Sequence, residues 1–177
     1  VYKFTDEVVD QGIVEQALAA ASNAPSHKHT HPWKFYIMGV EVRKRLVPVI
    51  TRLAKIKSAK LQSTTIDLDC QRAIKKILQP PILIAVSSKK SPDDEFREKE
   101  DYAASVCALH NMILSLWDNG VGAQWSTGSI TRDQQTYEIL SIDSHSEDII
   151  GFVKAGYPEK IRQVRKKAVE EIVTYLD

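Results

Sequence analysis

Cysteine is scarce in this chain: Cys70 and Cys107 are the only two in 177 residues, and neither belongs to a C-x-x-C pair. That argues against a disulfide framework and against a structural zinc site built on thiolates, and makes a reducing, cytoplasmic compartment the expectation. Long apolar runs are also missing. None approaches the roughly 20 residues that span a bilayer. Excess charge of one sign is absent too, since 24 basic residues face 23 acidic ones. A broad nucleic-acid or membrane footprint is therefore not expected. The seven glycines form no phosphate-cradling loop. Gly120-Val121-Gly122 meets Trp125 where a third glycine should fall, and it follows a helix rather than a strand, so the dinucleotide fingerprint fails. Neither G-x-x-x-x-G-K-[ST] nor G-x-S-x-G occurs. The chain opens at Val1 with no initiator methionine or signal-like segment, which suggests a truncated N-terminus.

What is present is enough apolar residue, 43% of the chain, to build one domain over residues 1–177. Asp10 can cap a helix with Ile13, Val14, Ala17, Leu18 and Ala21 on one face. Lys34–Met38 reads as a buried strand. Glu41–Ala54 has helical spacing but contains Pro48, so a kink, break or restart is expected there. Arg72–Leu78 is a helical turn stopped by Pro80-Pro81. Ile82–Val86 is an interior strand, and Ser87–Asp94 reads as a polar loop. Lys99–Asp118 carries a wide apolar stripe, as a central helix would, and Asn119-Gly120 ends it. Val121–Ser126 is a short strand or turn. Thr131 can cap a helix to about Leu140, and Asp148–Gly156 is the last strand before Tyr157-Pro158. Helices and strands mix irregularly, which is the α+β or mixed α/β class.

The loop Asn23-Ala24-Pro25-Ser26-His27-Lys28-His29-Thr30-His31-Pro32-Trp33 holds the densest chemistry. Two prolines shape it, and shaped loops between regular elements carry binding groups. On an extended chain His27, His29 and His31 would project to one side. No cysteine or carboxylate lies nearby in sequence to complete a metal site, so no metal is expected. The histidines read instead as donors to an anionic or heteroaromatic ligand. Cys107 and His110 share a helix face; they form either a thiolate–imidazole pair or a buried cysteine beside a polar edge. Trp125-Ser126-Thr127-Gly128 offers an indole with small polar neighbours, suited to a planar ring or to the core. Lys160, Arg162, Arg165, Lys166 and Lys167 can hold a phosphate or remain a solvated tail.

Together these pieces resemble the nitroreductase family, in its compact NAD(P)H nitroreductase branch. Ala24-Pro25-Ser26 with Pro32-Trp33-Lys34-Phe35 is similar to the A-P-S…Q-P-W-x-F loop and strand, with His31 in place of the glutamine and His29 in place of the asparagine. Tyr102–Asp118 resembles the long central helix. Gly120-Val121-Gly122-Ala123-Gln124-Trp125 resembles the G-x-G-x-x-W turn, and Ile149–Pro158 resembles the strand that ends in G-Y-P. The family's R-R-S or R-R-T stretch would precede Val1. The resemblance implies an α+β homodimer with a small central mixed sheet flanked by helices. It implies FMN at the subunit interface, NADH or NADPH as donor, and a small electron acceptor such as a nitroaromatic or quinone. It implies no catalytic side chain, because FMN carries the hydride. By position, the flavin contacts carry over to Asn23, Ser26 and His27, to Trp125, Ser126 and Thr127, and to Arg165 and Lys166. The alternatives are a specialised flavin-dependent reductive dehalogenase and a flavin- or ligand-binding module without turnover.

Overall fold

The computed structural model describes residues 3–161 and 163–176. Its strands are β1 (Trp33–Ile37), β2 (Ile82–Lys89), β3 (Gly122–Ser126) and β4 (Glu147–Gly156). Its helices are α1 (Gln11–Ser22), α2 (Val40–Arg45), α3 (Val47–Lys60), α4 (Ile66–Leu78), α5 (Glu95–Asp118) and α6 (Gln134–Leu140). Short 3-10 turns occupy His27–His29, Ser129–Arg132 and Val169–Glu171.

The four strands form one sheet in the order β1-β2-β4-β3. All three pairings are antiparallel, where a mixed sheet was expected. The chain returns through helices without repeating a strand direction between neighbours, so the α+β class stands.

Side chains alternate across each strand. On β2, Ile82, Ile84 and Val86 meet α1 and α5 through Ala17, Ala21, Ala108, Leu109 and Met112. Leu83 and Ala85 face the other way, onto Leu46, Ile50, Ile77 and Tyr137 from the remaining helices. Both strand faces are thus covered, which is why β2 reads as one unbroken apolar run. The β2–β4 ladder slips where Val86 pairs Gly151 but Ser87 pairs Ile149, leaving Ile150 unpaired. Such a bulge re-aims side chains beyond it.

The expected helix over Glu41–Ala54 divides at Leu46, and Pro48 stands in the first turn of α3, where its missing N–H costs nothing. Buried Arg43 ties α2 to its surroundings, donating from Nε to the Met38 carbonyl at 2.8 Å and from Nη2 to that of Pro81 at 3.2 Å. Several boundaries depart from expectation, among them α4, which begins at Ile66 rather than Arg72. Ser87 and Ser88 are not loop but buried strand, with Ser105 Oγ donating to Ser88 Oγ at 3.0 Å. Helix α5 starts at Glu95, where Asp94 accepts from the Arg97 N–H at 3.0 Å. Thr131 caps nothing: it lies in a 3-10 turn, its hydroxyl donating to the Gly128 carbonyl, and α6 begins after Asp133.

Candidate functional site

The loop after α1 does not run extended. Lys28, His29 and His31 all adopt left-handed backbone, with φ of 51°, 53° and 43°, a region disfavoured for residues with a Cβ. The chain curls, so the three imidazoles do not line one side as their spacing suggests. His29 and His31 rings lie 6.1 Å apart, and His31 meets Trp33 edge-on at 5.4 Å. Among the described residues no three His, Cys, Asp or Glu gather to hold a metal.

Local bonds fix the curl. Ser26 accepts twice: its carbonyl from the His29 N–H and its Oγ from the His31 N–H, both at 3.2 Å. Thr30 Oγ1 donates to Asp101 Oδ1 of α5 at 2.6 Å. His27 stands exposed with Nδ1 3.7 Å from Glu100 Oε1. A cleft of about 170 Å³ opens here, lined by His27, Lys28, Phe96 and Arg97 among others. Asn23 is spent otherwise, since its side-chain amide donates to the Ala19 carbonyl at 3.0 Å and closes α1.

A second corner follows β3. Trp125 lies across β4 with Nε1 donating to the Ile150 carbonyl at 3.2 Å. Gly151 makes room: a Cβ there would sit 2.1 Å from that nitrogen. Ser126 Oγ donates to the Phe152 carbonyl at 3.2 Å, and Thr127 is exposed.

These corners occupy opposite edges of the sheet but the same end. Trp33 pairs with Ser88, and Ser88 with Asp148, at the start of β4. β3 runs towards that start and leaves the sheet beyond Ser126, which pairs with Phe152. Three inter-strand gaps, with the four-residue offset from Asp148 to Phe152 along β4, set the corners about 20 Å apart. A larger cleft of about 370 Å³ lies over the ends of the two intervening strands, between Ser88 and Asp148 and the α5 side chains Glu98, Lys99 and Tyr102. On the sheet's other face Glu147 accepts from Lys34 at 3.0 Å, from Tyr36 at 2.8 Å and from Ser87. Partial burial pushes the Glu147 carboxyl up, but these donors outweigh it and hold it below the usual glutamate value.

Arg165 and Lys166 are exposed in a segment whose hydrogen bonds, among the described residues, are local ones at Ala168–Ile172, and neither lines the two clefts; Arg162 lies outside the described residues. Of the expected residues, only His27 lines either cleft. Cys107 is exposed rather than buried, and no bond joins it to His110. The Thr30–Asp101 contact was missed. Its signal is a carboxylate at a buried position of α5, on the stripe shared with Ser105, Ala108 and Met112.

A family model described as "Nitroreductase family" matches residues 1–157. A protein of Bacillus subtilis (strain 168) named "Putative NAD(P)H nitroreductase YfhC" is 26% identical over 165 residues, covering 93% of this chain and 82% of its own length. The crystal structure of a nitroreductase-like family protein from Bacillus cereus superposes with a TM-score of 0.80 at 25% identity, covering 99% of this chain and 90% of that one. An oxidised iodotyrosine deiodinase, bound to FMN and 3-iodo-L-tyrosine, superposes with a TM-score of 0.76 at 20% identity over 100% of this chain and 94% of that one.

Proposed function

This chain belongs to the nitroreductase family, and on that premise we propose that it is a homodimeric FMN-dependent oxidoreductase, taking hydride from NAD(P)H and delivering it to an electron-poor acceptor such as a nitroaromatic or quinone. The observation that supports the reading, beside the family match, is a cleft of about 370 Å³ over the ends of β2 and β4, the two strands that lie between the corners. That volume falls in the roughly 300–1,000 Å³ range of small-molecule and cofactor sites. FMN, when bound, supplies hydride acceptance and delivery. The chain's own part is to bind and orient. His27 and Lys28 offer N–H donors that favour negative charge on a heteroaromatic edge. Trp125, with Ser126 and Thr127 beside it, offers a flat apolar face. Arg165 and Lys166 offer cations for a phosphate.

Two features support pairing of chains. The outer face of α5 exposes Ala103, Cys107, His110, Leu114 and Trp117, alternating four and three apart as in a helix–helix seam. The C-terminal segment exposes Ile161, Val164, Val169, Ile172, Tyr175 and Leu176.

Purified protein titrated with FMN should give a yellow complex at roughly micromolar flavin. The complex should then oxidise NADH or NADPH once a quinone is added. Absence of a complex would remove the reading, and a tight complex without oxidation would leave a binding module. Likeness to the deiodinase favours a second reading, reductive dehalogenation. Halide release from an iodinated aromatic, without turnover of quinones, would select it.

A further inference from the structure

We infer that Asp101 is a positioning residue for the flavin loop, acting through Thr30; this rests on the reading that residues 26–31 bind the coenzyme. The backbone at Lys28, His29 and His31 is left-handed without glycine, so the loop does not hold its shape by intrinsic preference. Its other ties are internal or loose. Ser26 bonds His29 and His31, and the Thr30 N–H donates to the His27 carbonyl at 3.3 Å. These bonds move with the loop and do not place it. The exposed His27 lies 3.7 Å from Glu100, beyond hydrogen-bond distance. The Thr30 hydroxyl is, among the described residues, the one side chain of 26–31 that hydrogen-bonds another element, and it reaches Asp101 at 2.6 Å.

Asp101 is badly placed for any purely structural purpose. Its side chain is 2% exposed, and Oδ2 has no hydrogen-bond partner and only Arg97 Nε at 3.7 Å. A buried carboxylate that is half satisfied costs more than an apolar residue would in the same place. What it provides is a charge-assisted bond, stronger and shorter than a neutral one. That bond sits on the longest helix, whose next turns form the core through Ala108, Leu109 and Met112. The loop is thereby registered against a helix that is itself anchored in the core.

The test uses full-length protein reconstituted with FMN. Thr30→Val keeps the shape of the side chain and removes the donor; Thr30→Ser restores it. Thr30→Val should weaken FMN binding about tenfold or more and Thr30→Ser should stay within about threefold of the parent. The bound flavin's near-visible circular dichroism should change in the valine variant alone. Asp101→Ala should match Thr30→Val, and if it fails to fold, the Thr30 pair decides. Equal affinities and spectra for parent, valine and serine proteins overturn the inference, as would a lowered melting temperature with no change in affinity. A parent protein that binds no FMN instead overturns the proposed function, so the two failures are distinguishable.

Discussion

The turn at residues 26–31 and the segment at 163–176 are both largely exposed, yet they are held in opposite ways. The turn adopts unfavourable backbone and is pinned by Ser26, Thr30 and Asp101. Among the described residues the segment adopts no such backbone, and its hydrogen bonds are local ones around Val169–Glu171. A shape maintained against intrinsic preference must be specified by its own chain. An apolar-studded segment that meets nothing must find its surface elsewhere. One half of the candidate site is therefore built within a protomer, while the cations offered for a phosphate depend on what that segment docks against.

The sharpest way to break this contrast is to remove the segment. A chain ending at Lys160 should still fold, since the described part of the segment makes no core contact, with a melting temperature lowered by the lost association of chains. It should also sediment as a monomer and bind FMN about a hundredfold more weakly. Each large apolar side chain gains roughly 1.5–3 kcal/mol when fully buried, so Val164, Ile172, Tyr175 and Leu176 alone could hold two chains together. A truncated protein that stays dimeric with unchanged flavin affinity would show that the segment is merely solvated.

A second variant tests the corner that the sheet itself holds. In Gly151→Ala the new methyl would stand 2.1 Å from Trp125 Nε1 and 3.1 Å from the Ser126 carbonyl oxygen. The indole is part-exposed and can swing outward, losing its bond to the Ile150 carbonyl. Overpacking with one lost hydrogen bond should cost about 1–3 kcal/mol. Red-shifted tryptophan emission and a lower urea midpoint would report it. The tied turn lies on the opposite sheet edge, so amide exchange at residues 27–31 should stay as in the parent. Loosening of both corners together would mean that they form one cooperative unit.

How far the sequence foretold this differs between these parts for physical reasons. Periodicity gave α1, β1, β2 and β4 because their apolar residues face fixed cores. It gave the restart at Pro48 because a proline's missing N–H is harmless only in a first turn. It misplaced Ser87 and Ser88: a bulge carries two serines into the sheet, where each hydrogen-bonds a side chain from another element. It left the arrangement of the histidines open, since alternation implies one side only on extended chain, and nothing local announces left-handed Lys28 and His29. Trp125 was found as a corner residue, but its partner is Gly151, a non-neighbour that only the sheet register brings close. The mixed sheet was expected from family resemblance, and strand direction cannot be read from apolar runs alone.

The smallest effect expected is one of pH, at the polar cluster behind the first corner. Glu147 is partly buried, which pushes its carboxyl up, but donation from Ser87, Tyr36 and Lys34 prevails and sets its folded pKa below the ordinary 4.5. A carboxyl held low when folded stabilises the fold above its unfolded pKa and loses that contribution as pH falls through the folded value. Stability should thus decline as pH falls below about 4.5, by an amount tempered because Lys34 is exposed. Glu147→Gln should flatten that part of a urea-midpoint profile and leave the neutral range nearly level. Lys34 and Tyr36 lie on β1, the strand the turn leads into, whereas β3 has no residue in this cluster. On acidification amide exchange should therefore quicken around His31–Tyr36 before it does around Trp125–Gly128. The reverse order would place the weaker hold at the second corner and invert the contrast.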